Sequence, residues 1–297
     1  MAALTPRLVT ALTRASSALS LNAQRTLGRW LGRVAWYARA EPARTTRINL
    51  RACFPDWSPE ARRSVGRRSL EHTGETLMET GVVFHWPDAQ WRLLEQQVEG
   101  AALFDRARAE GRGVLILAPH FGNWEFLALT LGRYRVTALY DPPRLAALEP
   151  LIRRARSRTG SQLLPIDAHG LRGFYHALAS GGVTALLPDQ VPERSSGVYA
   201  DFFGQPALTM TFAHRLVRRF DPLVVLGSAS RCAGGFRIRF KELGPDVRDA
   251  DPAIAARAIN RAIEDLIRTD PAQYQWEYKR FKGQPPGYPR LYVRRRR

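Results

Sequence analysis

The 297-residue chain has little cysteine, lysine or methionine: two, three and three residues respectively. Two cysteines, Cys53 and Cys232, cannot build a disulfide framework or a four-cysteine zinc site, and they read as small apolar residues in a reducing compartment. No run approaches the roughly 18 consecutive apolar residues of a spanning helix. The apolar runs near the start are also too broken to form the core of a secretory signal. A Gly-x-x-x-x-Gly-Lys loop is missing, and the one Gly-x-Gly (Gly111, Gly113) precedes its strand instead of following it, so neither nucleotide fingerprint is present. Without a Gly-x-Ser-x-Gly elbow, a His-Glu-x-x-His helix or paired Cys-x-x-Cys motifs, no hydrolase nucleophile, metal or other cofactor has support.

Arginine is abundant. Only Lys241, Lys279 and Lys282 are lysines, so 42 of the 45 basic residues are arginine, and against 27 acids the net charge is +18. Such a field points to an anionic partner: nucleic acid, an anionic membrane surface or a phosphorylated substrate. With 45% hydrophobic and 24% charged residues the composition is that of a globular chain, long enough for one large domain or two small ones.

The first forty residues hold six arginines and no acid. Arg25, Arg29 and Arg33 recur every four residues and line one helical face, with Leu27, Trp30, Leu31, Val34 and Tyr37 around the rest. A basic amphipathic helix with tryptophan at its edge suits a membrane interface; a core-packing helix and an organellar transit peptide remain open alternatives. Residues before 100 read as helical. Beyond them, strand patterns at 113–118, 136–140, 162–166, 183–187, 223–228 and 236–240 alternate with helical stretches at 146–158, 171–180, 209–219 and 252–268. Gly234-Gly235 separates the last two strands as a hairpin turn would. The alternation predicts an α/β fold, a mostly parallel central sheet flanked by helices, carrying an N-terminal helical extension. The predicted division is a basic amphipathic region over 1–45 and a single α/β domain over 46–297.

One polar cluster stands out, Pro119-His-Phe-Gly-Asn-Trp-Glu125. His120 follows the carboxyl end of a buried strand, where ligands bind in open α/β sheets. Asn123 offers a helix N-cap, and Glu125 falls in the first turn. Five residues apart, His120 and Glu125 would lie about 140° from each other on one helix. With the histidine in the turn and the glutamate in the first helical turn, the carboxylate could hold one imidazole nitrogen and leave the other as a general base. A strand-end histidine with no catalytic role fits the spacing as well.

His120 to Glu125 matches the His-x-x-x-x-Asp/Glu signature of glycerolipid and lipid A acyltransferases, and the likeness extends along the chain. Asn49-Leu-Arg-Ala-Cys-Phe-Pro55 with Glu75 and Glu79, Arg154-Ala-Arg-Ser157, Leu187-Pro-Asp-Gln190 through Phe202-Phe-Gly204 and Thr209, and Tyr274-Gln-Trp276 through Arg280-Phe-Lys282 resemble the blocks of the bacterial lipid A late acyltransferases, in order. The resemblance implies a glycerolipid acyltransferase-like fold. It also implies acyl transfer from an acyl carrier protein thioester to a hydroxyl of an acylated, phosphorylated glucosamine disaccharide, at the cytoplasmic face of the inner membrane and without a cofactor. His120 and Glu125 would be catalytic, with Asn123, Arg156, Asp189, Gln190, Arg194, Trp276 and Arg280 meeting substrate.

Two departures from the family pattern are visible. The N-terminal segment is amphipathic and broken by arginine where many members have a longer hydrophobic anchor, and Glu277 stands where an apolar residue is expected. Among enzymes, the alternative is an acyl-CoA-dependent transferase acting on phosphatidylinositol mannoside or a lysophospholipid. Outside enzymes, it is a basic membrane- or nucleic-acid-binding protein using the N-terminal helix and Arg294–Arg297; the resemblance implies no nucleic-acid partner.

Overall fold

The computed structural model describes residues 6–143 and 146–292, so the Arg294–Arg297 run lies outside the described residues. Four helices come first: α1 (Pro6–Ser17), α2 (Leu21–Tyr37), α3 (Glu41–Cys53) and α4 (Pro59–His85). A one-turn α5 (Asp88–Trp91), β1 (Glu95–Glu99) and α6 (Ala102–Ala109) lead into the alternating part. There the order is β2 (Val114–Leu117), α7 (Trp124–Leu131), β3 (Thr137–Tyr140), α8 (Glu149–Ser157), β4 (Gln162–Pro165), α9 (Ala168–Ala179) and β5 (Val183–Leu186). The chain continues through β6 (Gly197–Phe202), β7 (Gln205–Met210), α10 (Phe212–Phe220), β8 (Leu223–Cys232), β9 (Gly235–Glu242) and α11 (Pro252–Thr269).

Seven strands form one sheet in the order β1-β9-β8-β2-β5-β3-β4. Every neighbouring pair is parallel except β8 and β9, which form the hairpin at Gly234-Gly235. Burial on both faces explains the unbroken apolar run of β2: Leu115 and Leu117 pack on one side with Phe174, Leu216 and Ile263, while Val114 and Ile116 pack on the other with Val82, Phe104 and Phe126. The expected α/β architecture is therefore the observed one.

Two strand features escaped the sequence patterns. β1, Glu-Gln-Gln-Val-Glu, is a polar strand at the sheet edge beside β9, so it lacks the apolar alternation that marks a strand. β6 and β7 pair through a two-residue turn at Phe203-Gly204, both at positive φ (52° and 73°). That turn normally announces itself as Asn-Gly or Asp-Gly, and here a phenylalanine takes the first left-handed position.

The N-terminal helices pack as part of the fold, with a polarity opposite to the simple amphipathic expectation. The arginines of α2 lie along its seam with α4: buried Arg25, half-buried Arg29 and exposed Arg33 pair with Glu79, Glu75 and Glu71 of that antiparallel helix, each at 2.8 Å. Arg25 also donates to the carbonyls of Cys232 and Gly235, tying α2 to the β8–β9 hairpin. The helices approach closely because both carry glycine at the crossing; a Cβ on Gly74 would sit 2.0 Å from the Gly28 carbonyl oxygen. Leu27, Trp30, Val34 and Tyr37 are left on the exposed face. No described helix is long and apolar enough to cross a membrane.

Candidate active site

β2 and β5 are adjacent, parallel and in register, Leu117 opposite Leu186. His120 and Asp189 each follow their strand by three residues, so they leave the sheet side by side, at the ~4.8 Å strand spacing. The turn carrying His120 is clamped from several sides. Gly122 (φ 62°) donates to the Gln273 carbonyl at 2.9 Å, and a Cβ there would meet the Ala229 oxygen at 2.1 Å, so only glycine fits. The Asn123 side chain caps α7 by accepting from the Phe126 amide at 2.9 Å, and donates to Glu79 at 2.8 Å.

His120 is 8% exposed. Its Nδ1 lies 2.8 Å from Asp189 Oδ1, and its backbone N–H donates to Oδ2 at 2.9 Å, so one carboxylate grips both the ring and the main chain. With Nδ1–H given to Asp189, the Nε2 lone pair faces outward and accepts from the Gln190 amide at 3.2 Å. Burial by itself lowers the His120 pKa, but the Asp189 carboxylate overrides it, and Glu125 and Glu277 add to a net rise. Asp189 feels the reciprocal balance: burial raises its pKa, yet His120 holds it below the ordinary carboxylate value.

Glu125 does not hold the imidazole. It forms a fork with Arg156, Nε to Oε2 at 2.9 Å and Nη2 to Oε1 at 2.5 Å. The Arg156 guanidinium also lies over the rings of Trp124 and Tyr140, 5.3 and 5.5 Å from their centroids. The orienting carboxylate is Asp189, from the neighbouring strand, because α7 starts at Trp124 and turns Glu125 toward α8. His120 and Glu125 still share one cavity of about 260 Å³, together with His72, Thr73, Trp124 and Glu277. A second cavity of about 80 Å³ is lined by Trp124 and Arg156 together with Leu127, Leu131, Val136 and Leu163.

The other expected substrate contacts are placed differently. Asn123 is fully buried with its amide spent on the cap and on Glu79. Trp276, 1% exposed, donates to the Pro271 carbonyl and packs among Phe54, Phe203 and Tyr274 in the core, so it is not a wall of the cavity. Arg280 is buried, donating to the Leu208 carbonyl and to Thr209. Arg194 is exposed and lines a separate cavity with Lys282, Arg290 and Tyr292. Gln190 touches His120 as described. Of the two thiols, Cys53 is buried and Cys232 half-buried. Among the described residues no group of three or more His, Cys, Asp or Glu side chains could hold a metal ion.

Glu277, marked in the sequence only as a departure from the family pattern, lines this cavity, as do His72 and Thr73, which no motif singled out. The one local signal for His72 is its three-residue spacing to Glu75, which places Nδ1 2.7 Å from the carboxylate on one face of α4.

The profile described as bacterial lipid A biosynthesis acyltransferase matches residues 3–283. The chain is 30% identical over 253 residues to the lipid A biosynthesis palmitoleoyltransferase of Escherichia coli (strain K12), covering 83% of this chain and 81% of that protein. It is 30% identical to the lauroyltransferase of the same organism over 273 residues, 90% of this chain and 87% of the relative. Identity to its lipid A biosynthesis myristoyltransferase is 24% over 278 residues, 91% and 83% of the two chains. A match over nearly the whole length, on a fold that seats the His-x-x-x-x-Glu turn at the mouth of its parallel strands, makes this chain a member of the bacterial lipid A biosynthesis acyltransferase family.

Proposed function

We propose that the protein transfers a fatty acyl chain from an acyl carrier protein thioester to a hydroxyl of an acylated, phosphorylated glycolipid of the lipid A precursor type. One arrangement carries this activity: a buried histidine with Nδ1 bound to a carboxylate and Nε2 turned to a cavity at the strand ends. The acceptor hydroxyl displaces Gln190, gives its proton to Nε2 and attacks the thioester carbonyl; the tetrahedral intermediate expels the thiolate, which takes the proton back from the imidazolium. No acyl-enzyme forms. Asp189 orients the ring and stabilises its charged form. Arg156, still partly exposed within its fork to Glu125, faces the developing oxyanion or a substrate phosphate. The largely apolar second cavity suits hydrocarbon of the acyl chain. The +18 charge favours encounter with an acidic carrier protein.

Residence at the cytoplasmic face of the inner membrane, on the exposed apolar face of α2, completes the proposal. The test is acyl transfer from carrier-protein and CoA thioesters to a panel of hydroxylated lipids, comparing wild type with His120→Ala. The variant is expected to lose on the order of 10²- to 10⁴-fold in turnover while remaining folded. Full turnover in His120→Ala would refute the assignment. Preference for CoA thioesters and a lysophospholipid would favour the alternative enzyme.

A further inference from the structure

Glu277 is a carboxyl group that acyl transfer by His120 leaves unused. It lines the same cavity as His120 and Glu125. Its Oε1 accepts from the Thr73 hydroxyl at 2.7 Å, whereas its Oε2 is buried with no hydrogen-bond partner among the described residues. Burial raises its pKa against Thr73, its own backbone N–H, nearby Gln275 and His120, which favour the charged form. A buried polar oxygen with an empty lone pair carries a desolvation penalty that a bound donor removes. Its chain neighbours Trp276 and Arg280 are themselves buried in the core. Thr73 is itself within 3.2 Å of the Ser69 carbonyl, so it holds the Glu277 side chain from a fixed point on α4.

We infer that Glu277 is a specificity residue whose Oε2 accepts a hydrogen bond from a hydroxyl or amide N–H of the substrate bound beside His120. The inference rests on the acyl-transfer reading of that cavity. Two substrates carry such a donor, the glycolipid acceptor and the pantetheine arm of the thioester, and separate KM measurements distinguish them.

The experiment compares wild type, Glu277→Gln, Glu277→Leu and Thr73→Val, with lauroyl-acyl carrier protein and an acylated, phosphorylated glucosamine disaccharide each varied in turn. Glu277→Leu is expected to raise one KM about tenfold, the size of one lost hydrogen bond. Its kcat stays within roughly threefold and its melting temperature is unchanged or higher, because an unsatisfied buried oxygen has gone. Glu277→Gln keeps an accepting oxygen and stays near wild type. Thr73→Val shifts the same KM in the same direction, which decides the matter even where Glu277→Leu fails to fold. A rise in the acceptor KM assigns the donor group to the glycolipid, and a rise in the thioester KM assigns it to pantetheine. Unchanged KM values in both arms, or equal losses in Glu277→Gln and Glu277→Leu, overturn the inference. Should His120→Ala retain turnover, the acyl-transfer reading fails instead. Tryptophan-fluorescence titrations of Glu277→Leu with the same disaccharide and with lauroyl-acyl carrier protein then test Glu277 by itself, and affinities equal to wild type for both overturn it.

Discussion

Two ionic contacts leave the same seven-residue turn in opposite directions, His120 to Asp189 and Glu125 to Arg156, and they predict different phenotypes. Asp189→Asn keeps the shape but removes the charge that stabilises imidazolium, so kcat is expected to fall on the order of 10²-fold or more. Glu125→Gln loosens Arg156 and is expected to act mainly on KM, with a smaller fall in kcat. Steady-state kinetics on both variants separate the roles; a larger kcat loss in Glu125→Gln would restore the glutamate as partner of the base. The base form of His120 is neutral and its pKa is raised, so kcat/KM should rise with pH through a midpoint above the ordinary histidine value of 6.5. Asp189→Asn should move that midpoint down. Stability follows the same linkage: the raised His120 pKa contributes stability fully present below 6.5 and lost as pH rises through the folded midpoint. The lowered Asp189 pKa contributes stability present above 3.8 and lost as pH falls through its own folded midpoint. Melting temperatures of wild type and Asp189→Asn across pH should therefore converge at both extremes.

At the scale of elements, the two faces of α2 bear on the proposed membrane contact. Its arginines at every fourth position meet glutamates at every fourth position of α4, so the ladder Arg25–Glu79, Arg29–Glu75, Arg33–Glu71 consumes charge that would otherwise face lipid. Glu79 is fully buried and also receives Asn123 and Arg231, linking α2 to the cap of the His120 turn. Arg25→Ala leaves Glu79 paired with Arg231 but strands the Cys232 and Gly235 carbonyls, and is expected to cost about 1–3 kcal/mol, read from denaturant unfolding. The outward face carries large apolar side chains, with Trp30 59% and Tyr37 72% exposed. Vesicle sedimentation should thus weaken sharply with Trp30→Asp and only modestly with salt, since burial of apolar surface is not screened. Binding abolished by salt and indifferent to Trp30→Asp would return the role to the basic surface.

Across the whole molecule the helical N-terminus and the sheet share cores. Leu50, Cys53 and Phe54 of the α3 region pack with Trp276, Phe203 and Leu117, and Leu21 packs with Val82 and Val83. Removing residues 1–37 would expose Glu71, Glu75 and Glu79 and open the β8–β9 hairpin that Arg25 ties down. The shortened chain is expected to lose cooperative unfolding, as calorimetry would show; a sharp transition near the wild-type temperature would instead make the N-terminal helices a separate unit.

The amino-acid sequence alone determined the parallel α/β frame, because strands buried on both faces read as short apolar runs such as Val114-Leu-Ile-Leu117, and helices between them keep their own period. It also determined the turn at Pro119–Glu125, since a glycine, a capping asparagine and a strand end leave a local trace. Only the tertiary structure decided the rest, because those choices are made between residues far apart in the chain. Which carboxylate reaches His120 depends on β2 and β5 lying in register 69 residues apart, and not on the five-residue spacing to Glu125. Whether the arginines of α2 pair with protein depends on a glutamate ladder 38 to 54 residues away. A polar edge strand and a Phe-Gly hairpin turn likewise carry no local signature, since pairing partners rather than their own composition hold them in place.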